Sequence, residues 1–179
     1  MRIIGGKFGG LRLNPPANLP VRPTTDIAKE ALFNILDNRI EFEGAVCLDL
    51  FAGTGNISFE LVSRGVQQVD AIDIHFKCLS YINETAKKLA IAEIRTRKAD
   101  VLKFIPSAKG TYDFIFADPP YDLGSLPQLG NSILEKGLLK PGGVMVIEHP
   151  SMRKMNDSPY LVETRKYGYS SFSFYELEK

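Results

Sequence analysis

Apolar positions along the chain follow two rhythms. From Ala45 onward, short and nearly continuous apolar runs alternate with stretches where apolar residues recur every three or four positions. Runs of the first kind read as strands buried on both faces, and stretches of the second kind as helices packed along one side. Strands are predicted at 45–50, 68–73, 93–99, 112–117, 144–148, 161–167 and 171–177. Helices are predicted from Asn56, over 76–90 with Leu79, Ile82, Ala86 and Leu89 on one face, and over 126–136.

Upstream of Ala45 the pattern differs. Residues 2–13 alternate weakly and hold Gly5, Gly6, Gly9 and Gly10, which predicts a short hairpin with a flexible turn. Residues 14–23 form a proline-rich, extended connector. Thr24, Thr25 and Asp26 then offer caps for a helix whose stripe is Ile27, Ala31, Leu32, Ile35 and Leu36, ending near 37–38. Strands alternating with helices predict an α/β, doubly wound, mostly parallel sheet. The closing pair of strands has no helix between its members and should add an antiparallel hairpin at one edge.

Composition narrows the setting. A chain of 179 residues is one ordinary domain, able to bury roughly 70% of its unfolded surface. It has no apolar run of about 18 residues, so no membrane span is expected. The N-terminus lacks the apolar core of a signal peptide. Cys47 and Cys78 form no C-x-x-C pair, and His75 and His149 show no ligand spacing, so neither a disulfide framework nor a metal is expected. A reducing, cytoplasmic setting and a monomer fit these features. Net charge is +1, but Arg2, Lys7, Arg12 and Arg22 all precede the first acid, Asp26, and Arg95, Arg97 and Lys98 form a second basic group. Such patches suit a nucleic-acid phosphate backbone.

The chemistry gathers at strand ends. Asp118, Pro119, Pro120 and Tyr121 follow the run 112–117. The prolines end the strand and stiffen the turn. A carboxylate, backbone carbonyls and a flat ring are thus held at the strand's C-terminal end, where open α/β sheets bind ligands. That set suits a planar amine such as a nucleobase amino group. Asp118 and the Pro119 carbonyl could accept its two N–H bonds and turn its lone pair toward a methyl group, with Tyr121 stacked on the base.

Residues 49–56, D-L-F-A-G-T-G-N, make a glycine turn after the first strand. A dinucleotide site is the first alternative, but Ser58 replaces the third fingerprint glycine, and Asp49 would repel a pyrophosphate. S-adenosylmethionine carries a sulfonium and an ammonium and no phosphate, so the acid favours it. Asp73 and Asp100 end the next two strands, where the first could accept from ribose hydroxyls and the second from an adenine amine. Carbon methylation of a pyrimidine would need a cysteine nucleophile, whereas Cys47 and Cys78 read as packing residues.

With D-L-F-A-G-T-G-N at 49–56 and D-P-P-Y at 118–121, the chain resembles class I methyltransferases acting on exocyclic amines. R-I-I-G-G at 2–6 with L-R-L at 11–13, R-P-T at 22–24, E-A-L-F-N-I-L at 30–36 and Tyr167-Gly168 resemble the RsmD type in particular. That resemblance implies a class I methyltransferase (Rossmann-like) sheet, residues 41–179, preceded by a hairpin and helix extension, residues 1–40, that touches RNA. It implies methylation of the N2 amine of a guanine in 16S ribosomal RNA, with the RNA, the small subunit or an assembly intermediate as partner. Asp49, Phe51, Gly53, Gly55, Asn56, Asp73, Ile74, Asp100, Val101 and Asp118 would hold the donor. Asp118, Pro119 and Tyr121 would be catalytic, and Pro120, Tyr121, Arg22, Thr24, Arg2, Lys7 and Arg12 would contact substrate. One departure is visible: Asp73 stands where the family usually has a glutamate. A DNA amino-methyltransferase and a non-catalytic RNA-binding protein are the alternative readings.

Overall fold

The computed structural model describes residues 1–22 and 24–178; Pro23, the last proline of the connector, lies outside the described residues. Among the described residues, seven strands form one sheet. They are β1 (Val46–Leu50), β2 (Gln68–Asp73), β3 (Ile94–Lys98), β4 (Tyr112–Ala117), β5 (Leu139–Pro150), β6 (Leu161–Tyr167) and β7 (Ser170–Glu176), in the order β3-β2-β1-β4-β5-β7-β6. The first five run parallel, while β7 pairs antiparallel with both β5 and β6. The doubly wound sheet and its antiparallel edge hairpin are therefore as the sequence predicts.

Alternation along the inner strands sorts their side chains onto two faces. Cys47, Val69, Phe114, Phe116, Val144 and Phe174 face one side, and pack against α1 (Asp26–Leu36), α2 (Asn56–Ser63) and α3 (Phe76–Lys88). Leu48, Leu50, Ile72, Ile115, Met145 and Ile147 face the other, against α4 (Val101–Ser107) and α5 (Leu129–Glu135). Both layers need apolar residues, so the central strands show no polar alternation. β3, at the sheet edge, has no buried residue.

Several elements differ from their predicted form. Helix α4 was not foreseen: it is only seven residues long, carries Pro106 near its end, and starts on Asp100, whose side chain caps the Leu102 amide at 3.0 Å. Strand β5 begins at Leu139 rather than at Val144, because the β4–β5 pairing shifts register between Tyr112 and Phe114 and absorbs Pro141, Gly142 and Gly143 as an irregular start. In α1 the apolar stripe is displaced by one residue. Ile27 is 80% exposed, and the buried row is Ala28, Leu32 and Leu36 beside Lys29 and Phe33. Thr25 caps this helix, accepting from the Ala28 amide at 3.2 Å.

The predicted N-terminal hairpin is reduced to one antiparallel bridge, Arg2 to Arg12, flanked by backbone bonds from Ile3 to Leu11 and from Leu13 to Met1. Its glycines are not a flexible turn. A Cβ on Gly6 would lie 1.9 Å from the Ser63 carbonyl oxygen, so only glycine lets the arm press onto the end of α2. There Ser63 accepts from the Lys7 amide at 2.7 Å, and its hydroxyl binds both Phe8 and Gly5. Ile3 and Leu13 join the same apolar cluster as α1 and the sheet.

Candidate active site

The registers align the C-terminal ends of β2, β1, β4 and β5: Ile72 lies opposite Leu50, Leu50 opposite Ala117, and Ala117 opposite Ile147. Asp73, Asp49, Asp118 and Glu148 therefore emerge along one edge. Beyond it lies a cavity of about 870 Å³, closed from the other side by the connector before α1.

One half is built by the turn between β1 and α2. Phe51 holds φ = 59°, Gly53 φ = 56° and Gly55 φ = 83°. A left-handed phenylalanine is strained, and such backbone concentrates at functional turns. Phe51, Gly53 and Asn56 line the cavity, as do Ile74, Asp100 and Val101. Gly55 does not; it is needed because a Cβ there would crowd Phe59 and Ile82 at 3.0 Å. Asp49 is 2% exposed, and the Ser58 hydroxyl donates to it at 2.6 Å. Burial pushes its carboxyl up to about 7, with Asp73 adding to the rise and Ser58 opposing it. Asp73 also lines the cavity, and accepts from the amides of Gly53 and His75 at 2.8 Å each, which fixes the turn to the end of β2. Asp100 both caps α4 and faces the cavity.

On the other side, Arg22, Thr24 and Asp118 reach the cavity from a cluster around Glu148, which is 2% exposed in β5 and, like Tyr121, is not among the lining residues. Its carboxylate accepts from Thr24 Oγ1 at 2.9 Å, from Ser170 Oγ at 3.1 Å and from Arg22 Nη2 at 3.1 Å. The same Arg22 nitrogen donates to Asp118 at 2.5 Å. The guanidinium carbon sits 3.6 Å from the centroid of the Tyr121 ring, and the Tyr121 hydroxyl donates to Ser170 at 2.8 Å. Arg153 holds the following loop by donating to the Tyr121 and Leu123 carbonyls at 2.8 Å. Burial, reinforced by Glu148, raises the Asp118 carboxyl well above its usual range, although Arg22 pulls the other way.

Asp118, Pro119, Pro120, Arg22 and Thr24 thus meet the acidic half in one cavity. Glu148 was missed by the sequence pattern; its position at a strand end, on the edge shared by the other acids, was the available signal. His149 is a packing residue as expected, its ring bonded to Ser173 and to the Pro150 carbonyl. Arg2, Lys7 and Arg12 do not line the cavity, although Met1 does, so the arm starts at its rim and leads away over α2. Arg2 lies 3.7 Å from Asp26.

The family model described as "Conserved hypothetical protein 95" matches residues 1–176. The chain belongs to that family, the RsmD type. YlbH of Bacillus subtilis is 33% identical over 183 residues, spanning 98% of both chains. Ribosomal RNA small subunit methyltransferase D of Escherichia coli K12 is 30% identical over 148 residues, covering 83% of this chain and 74% of that protein. Among solved structures, yhhF of Escherichia coli superimposes with a TM-score of 0.87 at 27% identity, covering 99% of this chain and 98% of that one.

The methyl donor of this family is S-adenosylmethionine, and the residues fit it. Asp49 and Asp73 present negative charge to a cation, the turn between β1 and α2 holds no basic side chain, and Ile74 and Val101 supply apolar walls for a flat base.

Proposed function

We propose that this protein transfers a methyl group from S-adenosylmethionine to the exocyclic N2 amine of a guanine in 16S ribosomal RNA, free or within a small subunit or assembly intermediate. The observation that carries the reading is the opening of Asp118 and the acidic turn onto one cavity. The rRNA assignment is supported by the relative named ribosomal RNA small subunit methyltransferase D. The reading places the protein in the cytoplasm as a monomer; no described helix is long and apolar enough to cross a membrane.

In this reading Asp49, Asp73 and Asp100, with Phe51, Gly53, Asn56, Ile74 and Val101, hold the donor, which supplies an electrophilic methyl carbon. Gly55 acts indirectly, by shaping the turn. Asp118 and the Pro119 carbonyl accept the two N–H bonds of the amine and aim its lone pair. Tyr121 stacks on the base, which must leave its helix to reach the cavity. As the new N–C bond formed, the donor's bond from methyl to sulfur would break and a neutral thioether would leave. The amine would give up one proton, and Asp118 in its ionised form, its proton affinity raised by burial, is placed to receive it. Residues 1–40 serve as the RNA-contacting extension, with Arg2, Lys7 and Arg12 on phosphates, and 41–179 as the catalytic unit.

The test is incubation with methyl-labelled donor and, separately, small-subunit RNA, small-subunit particles or DNA, followed by nucleoside analysis. Label in N2-methylguanosine from RNA or particles is expected. Label in an adenine or cytosine amine of DNA, or no transfer at all, would refute the proposal.

A further inference from the structure

Glu148 and Arg22 carry an inference that rests on the guanine reading and deepens it. We infer that Glu148 selects guanine by accepting its N1–H, and that the Arg22 guanidinium occupies the target-base seat until the base arrives. The central carbon of the Arg22 guanidinium lies over the Tyr121 ring, 3.6 Å from its centroid, which is stacking distance. One of its nitrogens touches both Asp118, at 2.5 Å, and Glu148, at 3.1 Å. A planar N–C–N unit with in-plane donors, stacked on a tyrosine and aimed at two carboxylates, is also a description of guanine's amine-bearing edge. N1–H, C2 and the 2-amine form a guanidine-like fragment. With Asp118 taking the amine, the neighbouring ring nitrogen falls toward Glu148.

At that neighbour the bases differ. Guanine presents N1–H, a donor. Adenine and cytosine present a bare ring nitrogen with a lone pair beside the amine, which a carboxylate repels. A buried acceptor left facing a lone pair gives strong discrimination, because neither group finds another partner. Glu148 is suited to this role without Arg22, since Thr24 and Ser170 hold its carboxylate from two other elements. Arg22 is 38% exposed at its side chain, so it can swing out to solvent or to an RNA phosphate. Its departure leaves two carboxylates for the donors of the incoming base.

The experiment places 2-aminopurine at the methylated position of a synthetic RNA substrate, which keeps the 2-amine and removes N1–H. For the wild-type protein, kcat/KM should fall about 100-fold or more against guanine. 6-Thioguanine, which keeps N1–H and changes only the 6-position, should stay within about tenfold of guanine. Glu148→Gln can donate to a bare ring nitrogen, and should bring the guanine to 2-aminopurine ratio within about tenfold or reverse it. Equal use of guanine and 2-aminopurine by the wild-type protein would overturn the inference, as would a loss with 6-thioguanine as large as that with 2-aminopurine. The wild-type arms decide the matter even if Glu148→Gln does not fold. Failure of the guanine reading itself would look different: label would appear on a nucleoside other than N2-methylguanosine, and both proposals would fall.

Discussion

The Lys29–Glu60 pair and the Arg22–Asp118–Glu148 cluster are built from the same chemistry in opposite surroundings. Lys29 and Glu60 are both fully buried. The ammonium has three partners, the Arg2 carbonyl at 2.8 Å, Asn56 Oδ1 at 2.8 Å and Glu60 at 2.9 Å, which is every hydrogen bond it can donate. Glu60 in turn accepts from the Ile4 and Gly5 amides and from Arg64. Burial works against its charge, but Lys29 and those amides bring its carboxyl below the usual range. That cluster is complete, and it clamps the N-terminal arm to α1 and α2. The Arg22 cluster has two carboxylates for one cation, and that cation is 38% exposed beside the cavity. A surplus of acid at an opening is an arrangement that a ligand's donors can complete, and the Asp118 carboxyl, raised first by burial and then by Glu148, is where such a site shows electrostatically.

The largest expected effect comes from breaking the open cluster. Asp118→Ala should lower the single-turnover rate of methyl transfer by about 1,000-fold or more, as the loss of an orienting and proton-accepting group does. Donor affinity, read by calorimetry, should change less than about threefold, well under the 1.4 kcal/mol of a tenfold change. Retained turnover would remove Asp118 from the mechanism. Breaking the closed cluster should do the reverse. Lys29→Met leaves Glu60 buried without its cation and should cost about 3 kcal/mol of stability in urea unfolding; because Lys29 also holds Asn56 at the cavity, the folded variant should change in donor affinity rather than in the transfer rate at saturating donor. Arg22→Met, acting on an exposed cation, should cost less than about 1 kcal/mol in the same assay.

A smaller effect, set by pH, separates the donor half from both clusters. The Asp49 carboxyl is raised to about 7, and a cationic donor favours its ionised form. Below pH 7 donor binding must expel that proton. Affinity should therefore weaken about tenfold per pH unit as pH falls from 7 toward 5, and level off above 7. Asp49→Asn should flatten the profile; an unchanged slope would assign the proton elsewhere. The smallest effect concerns the arm. Replacing Arg2, Lys7 and Arg12 together with glutamine should weaken RNA binding and lower the slope of log affinity against log salt by roughly 0.7 per lost phosphate contact. An unchanged slope would show that RNA is held by another surface.

How much of this was legible in the sequence follows from the range over which each feature is determined. The strands and the edge hairpin show as local runs of residues, because burial on both faces leaves the same mark on each. The acids at strand ends and the D-P-P-Y turn were readable for the same reason. Helix α4 was hidden by its length and by Pro106. Lys29 was hidden by distance: the partner that makes it a core residue is Glu60, on another helix. Glu148 meets Arg22 across 126 positions of chain. No periodicity records such a contact, and only the fold brings the connector over the end of β5. The displaced stripe of α1 has the same origin, since Lys29 is drawn inward by Glu60 and turns Ile27 out to solvent.

In the proposed function the open cluster is a seat for a guanine amine beside a methyl donor. The most direct measurement is an experimental structure of the protein with S-adenosylhomocysteine and its RNA substrate. The expected result is a flipped guanine on Tyr121, its 2-amine within hydrogen-bond distance of Asp118 and the Pro119 carbonyl, with Arg22 withdrawn from Asp118. A complex in which Arg22 still bridges Asp118 and Glu148 while the methylated base lies elsewhere would contradict it.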